Sequence, residues 1–225
     1  MVKVYAAKIP LDLSENDITD FTSYIQSDKI QKIKNYKNLS DKYRSVLGEL
    51  IVRYGVCKIK GCNKQDIQIV NKHKPYLIYP SNIYFNISHS KDWVVCAIAS
   101  YPIGIDIEFI DPTRDYESIA ERFFSYDEKK YVMCPSNKRL QMERFYKVWT
   151  LKECYTKTNG MGLQMPFKSF SICSYKKKRY TINGLDNYKL YSDKWEADYF
   201  IAISTIEESV LNQIEKVSLE MLRNY

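Results

Sequence analysis

Asp106 and Glu108 stand two residues apart in Gly104-Ile-Asp-Ile-Glu108. On a strand, alternate side chains face opposite ways, so Ile105 and Ile107 share one face and the two carboxylates the other. Two residues of rise put their α-carbons about 7 Å apart. Carboxylates so placed repel unless a cation sits between them. Mg²⁺ takes oxygen ligands in an octahedron and commonly uses one or two carboxylates plus phosphate oxygens. One reading is therefore a divalent ion holding a phosphorylated ligand. The other is a half-exposed strand with its polar side in solvent.

Two further segments carry reactive groups. In Trp149-Thr-Leu-Lys-Glu153, continued to Lys157, helical spacing puts Trp149, Glu153 and Lys157 on one face. A carboxylate beside an aromatic ring and a lysine suits a metal ligand or a general base. It equally suits a surface ion pair over a buried tryptophan. In Asn86-Ile-Ser-His-Ser90, His89 and its flanking serines offer hydrogen-bonding groups to a phosphate. A Ser–His hydrolase would also need a positioned acid and an oxyanion hole, and no GxSxG elbow occurs. A histidine at a strand end also serves purely structural roles.

The elements that must position these groups come in a repeated order. Lys3–Lys8 reads as a strand. Ser14 to Asp17 reads as a capping box that opens a helix through Ile18, Phe21 and Ile25. A second short helix carries Lys29 to Ile33. A third starts near Asp41, with Tyr43, Val46, Leu47, Leu50 and Tyr54 as its apolar stripe. Strands are expected at Asp66–Val70, Ile83–Ile87, Trp93–Ala99 and Ile103–Phe109. Helical signals return at Tyr116–Phe124, then at a second capping box, Ser125 to Glu128, running into Met133. Cys134-Pro-Ser-Asn137 breaks that helix, and a long one follows from Lys138 to a terminating Gly160. Strand-like segments close the pattern at Phe170–Cys173, Arg179–Ile182, Lys189–Tyr191 and Tyr199–Thr205. The basic run Lys176-Lys-Lys-Arg179 reads as a hairpin turn. The tail after Glu207 fits helix or strand. Helices then strands, twice over, predict an α+β chain of two similar halves that meet near Tyr101–Gly104.

Composition limits the partners. The chain has 225 residues, 20 tyrosines and a net charge of +7. A basic surface favours anionic partners, whether nucleic acid, phosphorylated ligands or an acidic protein. The six cysteines are scattered with no CxxC pair, which argues against zinc and for a reducing, cytoplasmic compartment. The first residues lack the apolar core of a signal peptide, and no apolar run reaches the roughly 18 residues of a membrane span.

Taken together, the three segments match in order and spacing the signature motifs of Sfp-type 4′-phosphopantetheinyl transferases. The chain resembles that family in further stretches: Phe123-Phe-Ser125 before Asp127-Glu128, Asn159-Gly-Met-Gly-Leu163, and Lys29, Lys32 and Tyr43-Arg-Ser-Val-Leu-Gly48 upstream. The resemblance spans roughly residues 1–205. It implies an α+β fold of two pseudo-symmetric halves with the active site between them. Residues 1–102 would form the N-terminal half, with the adenosine and phosphate contacts of coenzyme A. Residues 103–225 would form the C-terminal half, with the Mg²⁺ carboxylates and the carrier-protein contacts.

Residue by residue, the resemblance makes Asp106, Glu108 and Glu153 the ligands of Mg²⁺, with Mn²⁺ as an alternative. It makes Ser88 and His89 contacts to the 3′-phosphate of coenzyme A. Lys29, Lys32 and Arg44 become further phosphate contacts at the adenosine end, and Lys157 the lysine at the pyrophosphate. Lys74-Pro75 matches a Lys-Pro pair near the nucleotide, although His73 precedes it where the family often has glycine.

The implied reaction is attack by a carrier-protein serine on the β-phosphorus of coenzyme A, expelling 3′,5′-ADP. Glu153 is the first candidate for the base, directly or through water, and Glu128 the second. The implied partner is an acidic apo carrier protein or carrier domain of peptidyl, acyl or aryl type, met through the region after Arg114 and the helix from Ser125. Tyr126, Tyr131 and Met133 are candidate contacts there, or ordinary core residues. The resemblance implies a monomer that binds neither nucleic acid nor membrane. A Mg²⁺-dependent nucleotide phosphohydrolase and a non-enzymatic basic binding module are the alternatives.

Overall fold

Two helices of 22 residues, each laid on its own sheet, organise this chain in a computed structural model. The structure describes residues 2–225 except Leu13, Ser23, Tyr24, His73, Lys177 and 208–212, and only the backbone of Asp17, Leu163, Tyr175, Lys176 and Asp186. The expectations placed on His73, on the side chains of Asp17, Leu163 and Lys176, and on Lys177 lie outside the described residues.

One compact unit comprises Met1–Tyr101 and Gln213–Tyr225. Its strands are β1 (Val2–Lys8), β2 (Gln68–Val70), β3 (Tyr76–Tyr79), β4 (Tyr84–Ser90) and β5 (Trp93–Ala99). Its helices are α1 (Glu15–Phe21), α2 (Ser27–Lys34) and α3 (Leu39–Lys60). β1 pairs antiparallel with β5, and β5 with β4, while β2 and β3 form a separate hairpin. β5 (Trp-Val-Val-Cys-Ala-Ile-Ala) is buried along its whole length, as befits a central strand with apolar side chains on both faces. α3 packs on this sheet, and the stripe expected from Tyr43 to Tyr54 is buried in the core. Its end is set by Gly61, whose φ of 67° few other residues adopt and whose N–H donates to the Cys57 carbonyl.

The other unit is Pro102–Asn212. It holds β6 (Ile103–Phe109), α4 (Tyr116–Phe123), α5 (Tyr126–Met133), α6 (Lys138–Asn159), β7 (Ile172–Lys176), β8 (Arg179–Ile182), β9 (Leu185–Trp195) and β10 (Tyr199–Thr205). The sheet runs β6-β10-β9-β8-β7 with antiparallel neighbours. Both halves of the capping box expected at α5 are present, between Ser125 and Glu128.

β3 has no counterpart among the expected strands, and three further elements differ in extent or place. α1 ends at Phe21, short of Ile25. β9 runs from Leu185 to Trp195, through the polar Ser192-Asp-Lys194 that hid its length. The tail after residue 212 does not belong with the second half. It forms β11 (Ile214–Lys216) and α7 (Leu219–Asn224), with β11 parallel to β1 and Val217 and Leu222 in the first unit's core. A division at residues 102 and 103 that gives the whole remainder to the second half is therefore corrected: Gln213–Tyr225 returns to complete the first sheet.

The meeting of β6 and α6 depends on one glycine. A Cβ on Gly104 would lie 1.9 Å from the Cys154 carbonyl oxygen and 2.7 Å from the Thr158 nitrogen. These are backbone atoms, which cannot swing aside. Thr158 ties the same turn of α6 to the sheet, its hydroxyl donating to the Ser204 carbonyl at 3.1 Å. Gly104→Ala must push strand and helix apart. Overpacking of this kind costs roughly 1–3 kcal/mol, and the backbone contact puts the cost at the upper end. Thermal melts should fall by roughly 6–12 °C; an unchanged melt would show that the helix can shift freely.

Candidate functional site

The acidic residues expected from the sequence come together in the second unit. β6 carries Asp106 and Glu108 on the face covered by α6, and α6 presents Trp149, Glu153 and Lys157 at successive turns. Lys157 Nζ donates to Asp106 Oδ1 at 2.6 Å and to the Ile105 carbonyl at 3.3 Å. Trp149 Nε1 donates to Glu108 Oε1 at 3.2 Å. The indole is itself fixed by rings, with centroids 5.4 Å from Phe167 and 5.9 Å from Phe123 and from Phe145.

This crowding sets the charge state. Burial, then repulsion from Asp106, pushes Glu108 up to about 7, against Arg114, Lys157 and the Trp149 hydrogen bond. The same two causes push Glu153 up to about 7, with Lys157 opposing. Burial works against the Lys157 ammonium, but attraction to Asp106 and the hydrogen bond between them outweigh it and hold its pKa above the usual lysine value. Lys157, with Arg114 acting on Glu108, does not offset three carboxylates, so the site favours additional positive charge.

An all-oxygen, crowded donor set suits a hard divalent cation such as Mg²⁺. Among the described residues, no group of three or more His, Cys, Asp or Glu is gathered so as to hold a metal ion by itself. Mg²⁺ does not require such a cage, since it is usually held by one or two carboxylates plus substrate phosphate and water.

Glu128 has a different environment. It is 4% exposed. Its Oε2 accepts the Ser125 N–H at 2.8 Å, and its Oε1 accepts the Ile172 N–H at 2.8 Å and pairs with Lys152 Nζ at 2.9 Å. Lys152, fully buried, donates to the Phe167 carbonyl at 2.8 Å and the Phe170 carbonyl at 2.7 Å. Burial holds its ammonium below the usual lysine range, against the pull of Glu128. Both charges are saturated with partners, so this pair ties α5, α6 and the segment before β7 together. A carboxylate so engaged is poorly suited to accept a substrate proton. The sequence displayed Lys152 within the motif without revealing this role.

Lys29, Arg44 and His89, three of the residues expected to contact phosphates, line one cavity of about 200 Å³ in the first unit, with Tyr36, Asp41, Ser45 and Ile87. Arg44 is held by Asp41 at 2.6 Å and by the Lys91 carbonyl at 3.0 Å. The hydrogen bond from Arg44, then that from Asn38, holds the Asp41 carboxyl below its usual range. The Arg44 Nε is buried with no hydrogen-bond partner among the described residues, an unused donor at the cavity. Lys29 Nζ pairs with Glu49 Oε2 at 2.9 Å.

The remaining expected contacts are not gathered there. Ser88 alternates to the opposite face of β4 from His89 and is buried. Lys32 is exposed on α2. Lys74 is half-buried beside β3, its pKa lowered by that burial. Of the candidate carrier contacts, Tyr126 is 75% exposed, Tyr131 lies under the Arg144 guanidinium, and Met133 packs against the core.

A second cavity, about 270 Å³, is lined by Phe123, Trp149, Met165, Pro166 and Phe167, with Arg122 and Lys168 at its rim. Trp149 belongs to both this apolar wall and the acidic site. The second unit thus offers a carboxylate cluster beside an apolar surface, and the first a cationic cavity. Phosphate recognition, cation binding and proton acceptance are the chemistry these groups can do.

Comparison with known proteins agrees with this set. The family model for the 4′-phosphopantetheinyl transferase superfamily matches residues 102–204. The one for the N-terminal part of 4′-phosphopantetheinyl transferase matches residues 12–101. The transferase gsp of Aneurinibacillus migulanus is 32% identical over 230 residues, covering 100% of this chain and 94% of that one. The transferase Sfp of Bacillus subtilis (strain 168) is 32% identical over 226 residues, 98% of this chain and 100% of its own. HetI of Nostoc sp. is 30% identical over 167 residues, 72% of this chain and 70% of its own. Full-length similarity of this kind, together with the two adjoining family matches, gives one conclusion: the chain belongs to the 4′-phosphopantetheinyl transferase superfamily and is of the Sfp type.

Proposed function

We propose that this protein transfers the 4′-phosphopantetheine group of coenzyme A to a serine of an apo carrier protein, releasing 3′,5′-ADP. The observation that carries the reading is the acidic cluster, with Glu108 and Glu153 both pushed up to about 7 around the Asp106–Lys157 pair. Coenzyme A has the complementary groups. Its 3′-phosphate suits the cavity of Lys29, Arg44 and His89, and its pyrophosphate suits a site of carboxylates, cation and lysine. Its uncharged pantetheine arm suits the apolar wall along Trp149.

In the reaction, the serine oxygen forms a bond to the β-phosphorus, and the bond from that phosphorus to the bridging oxygen of 3′,5′-ADP breaks. The serine proton passes to Glu153, directly or through a water it orients. One or two of Asp106, Glu108 and Glu153 would hold Mg²⁺ together with phosphate oxygens of coenzyme A, and the ion would polarise the pyrophosphate and offset its charge. Asp106 aims Lys157, so that its ammonium meets the charge gathering on the leaving group. Trp149 fixes the Glu108 carboxylate. Glu128 would support this apparatus through Lys152, and its existing partners make it the weaker candidate base.

A net charge of +7 favours an acidic carrier surface through faster encounter. Exposed Tyr126, on the helix after Ser125, is a contact for it. A single chain matched by both family models supports activity as a monomer. Six unbridged thiols suit a reducing compartment such as the cytoplasm.

Intact-protein mass spectrometry of an apo carrier with coenzyme A and Mg²⁺ should show the gain of one phosphopantetheine. Asp106→Ala or added EDTA should abolish it. No gain across peptidyl, acyl and aryl carriers would overturn the reading.

Glu153→Gln should lower kcat by about 100-fold or more, as loss of a general base does, with its melting temperature kept or raised in EDTA. Glu128→Gln should instead lower the melting temperature, because it leaves Lys152 buried without its counter-charge. The reverse pattern would return the base role to Glu128.

Stability should depend on pH through the same cluster. Folding raises Glu108 and Glu153 from 4.5 to about 7, so the folded form binds the extra protons. That stability is fully present below about 4.5 and is lost as pH rises through about 7. Melting temperature in EDTA should fall over this window, and the increment given by Mg²⁺ should grow across it. An increment independent of pH would show that the cation does not bind at these carboxylates.

A further inference from the structure

Glu49 and Arg53 are the only charged residues between Leu47 and Cys57. They are also among the most buried charges in the first unit, at 1% and 2% exposure. Arg53 donates from Nε and Nη2 to Glu49 Oε1, at 3.0 and 2.8 Å. Its Nη1 donates to the Lys64 and Ile67 carbonyls, at 2.8 and 2.9 Å. The other oxygen of Glu49 accepts from Lys29. Lys29 lines the cationic cavity, whereas Glu49 and Arg53 do not.

A carboxylate in contact with Lys29 would by itself cancel the charge that an anion in the cavity needs. Arg53 cancels the carboxylate instead. The triad Lys29–Glu49–Arg53 keeps one net positive charge, and it is presented by Lys29. Glu49 supplies direction, because an ammonium resting on a fixed buried oxygen cannot swing into solvent. We infer that Arg53 is a positioning residue for the 3′-phosphate of coenzyme A: it acts through Glu49 to leave the charge of Lys29 available to that phosphate. This rests on the transferase reading above. It adds to it a residue that touches neither the cavity nor the substrate.

The test is a double-mutant cycle read by calorimetric binding of coenzyme A and of dephospho-coenzyme A, which lacks the 3′-phosphate. Arg53→Met leaves a neutral Lys29–Glu49 pair. One charge removed near a partly buried phosphate, at an effective dielectric of about 20, changes affinity by about tenfold or more. The variant should therefore bind coenzyme A about tenfold more weakly and dephospho-coenzyme A nearly as before. Adding Glu49→Gln to Arg53→Met leaves Lys29 as a lone cation and should recover most of the lost affinity.

Equal weakening for both ligands, no weakening, or a double variant no better than Arg53→Met would each overturn the inference, because a merely structural role predicts no rescue. Should Arg53→Met fail to fold, Arg53→Lys serves. It keeps the charge but gives up the two-carbonyl clamp, so it should melt lower and retain the preference for coenzyme A; loss of that preference overturns the inference. The unsubstituted protein separates the two claims. If it modifies a carrier while Arg53→Met binds normally, only this inference fails. If it neither binds coenzyme A nor modifies any carrier, the transferase reading fails and this inference falls with it.

Discussion

The approach of β6 to α6 at Gly104 governs the second unit. A side chain of any size at that position would meet the helix backbone, and the carboxylates two and four residues further along the strand would move away from Glu153 and Lys157. The proposed chemistry belongs to Asp106, Glu108, Glu153 and Lys157, but their spacing is set by an absent Cβ. This is why the glycine and the carboxylates form one short segment: the strand must be tight against the helix where the reactive residues begin.

Buried charge is the second constraint, and the two units handle it alike. In one, Lys152 has a carboxylate and two carbonyls; in the other, Arg53 has a carboxylate and two carbonyls. Each cation is hydrogen-bonded through all of its nitrogens, which makes burial tolerable, and each connects a long helix to the loop it must hold. Neither lines the cavity in its unit. Rigidity is built beneath each candidate site, so the groups proposed to face substrate arrive already aimed.

Much of this was legible in the sequence for identifiable reasons. The α3 stripe and the Ser125–Glu128 capping box are local patterns, and local patterns survive folding. The carboxylate pair was visible because alternation on a strand fixes which side chains share a face. What the sequence hid depends on contacts remote along the chain. β9 looked short because Ser192-Asp-Lys194 interrupts the apolar alternation, although Ser192 is buried in the folded sheet. β11 is three residues long and has meaning only beside β1. Glu128 had the right type and the right neighbourhood for a base, but its partners, Lys152 and the Ile172 amide, are distant in sequence. Ser88 and His89 are adjacent in sequence and face opposite ways. Glu49 and Arg53 left one signal, an i, i+4 pair of opposite charges inside an apolar run.

The parallel pairing of β11 with β1 has a consequence for biosynthesis. Val4 is registered with Ile214, so the edge of β1 stays open until the whole second unit has been made. All of the second unit's strands and helices are synthesised in that interval. The second unit can therefore condense on the ribosome while the first still exposes a bare strand edge, the feature most prone to wrong pairing between chains. The order of synthesis and the order of completion are opposite: the half begun first is finished last, and recruitment of a chaperone would be most useful at the β1 edge during that delay.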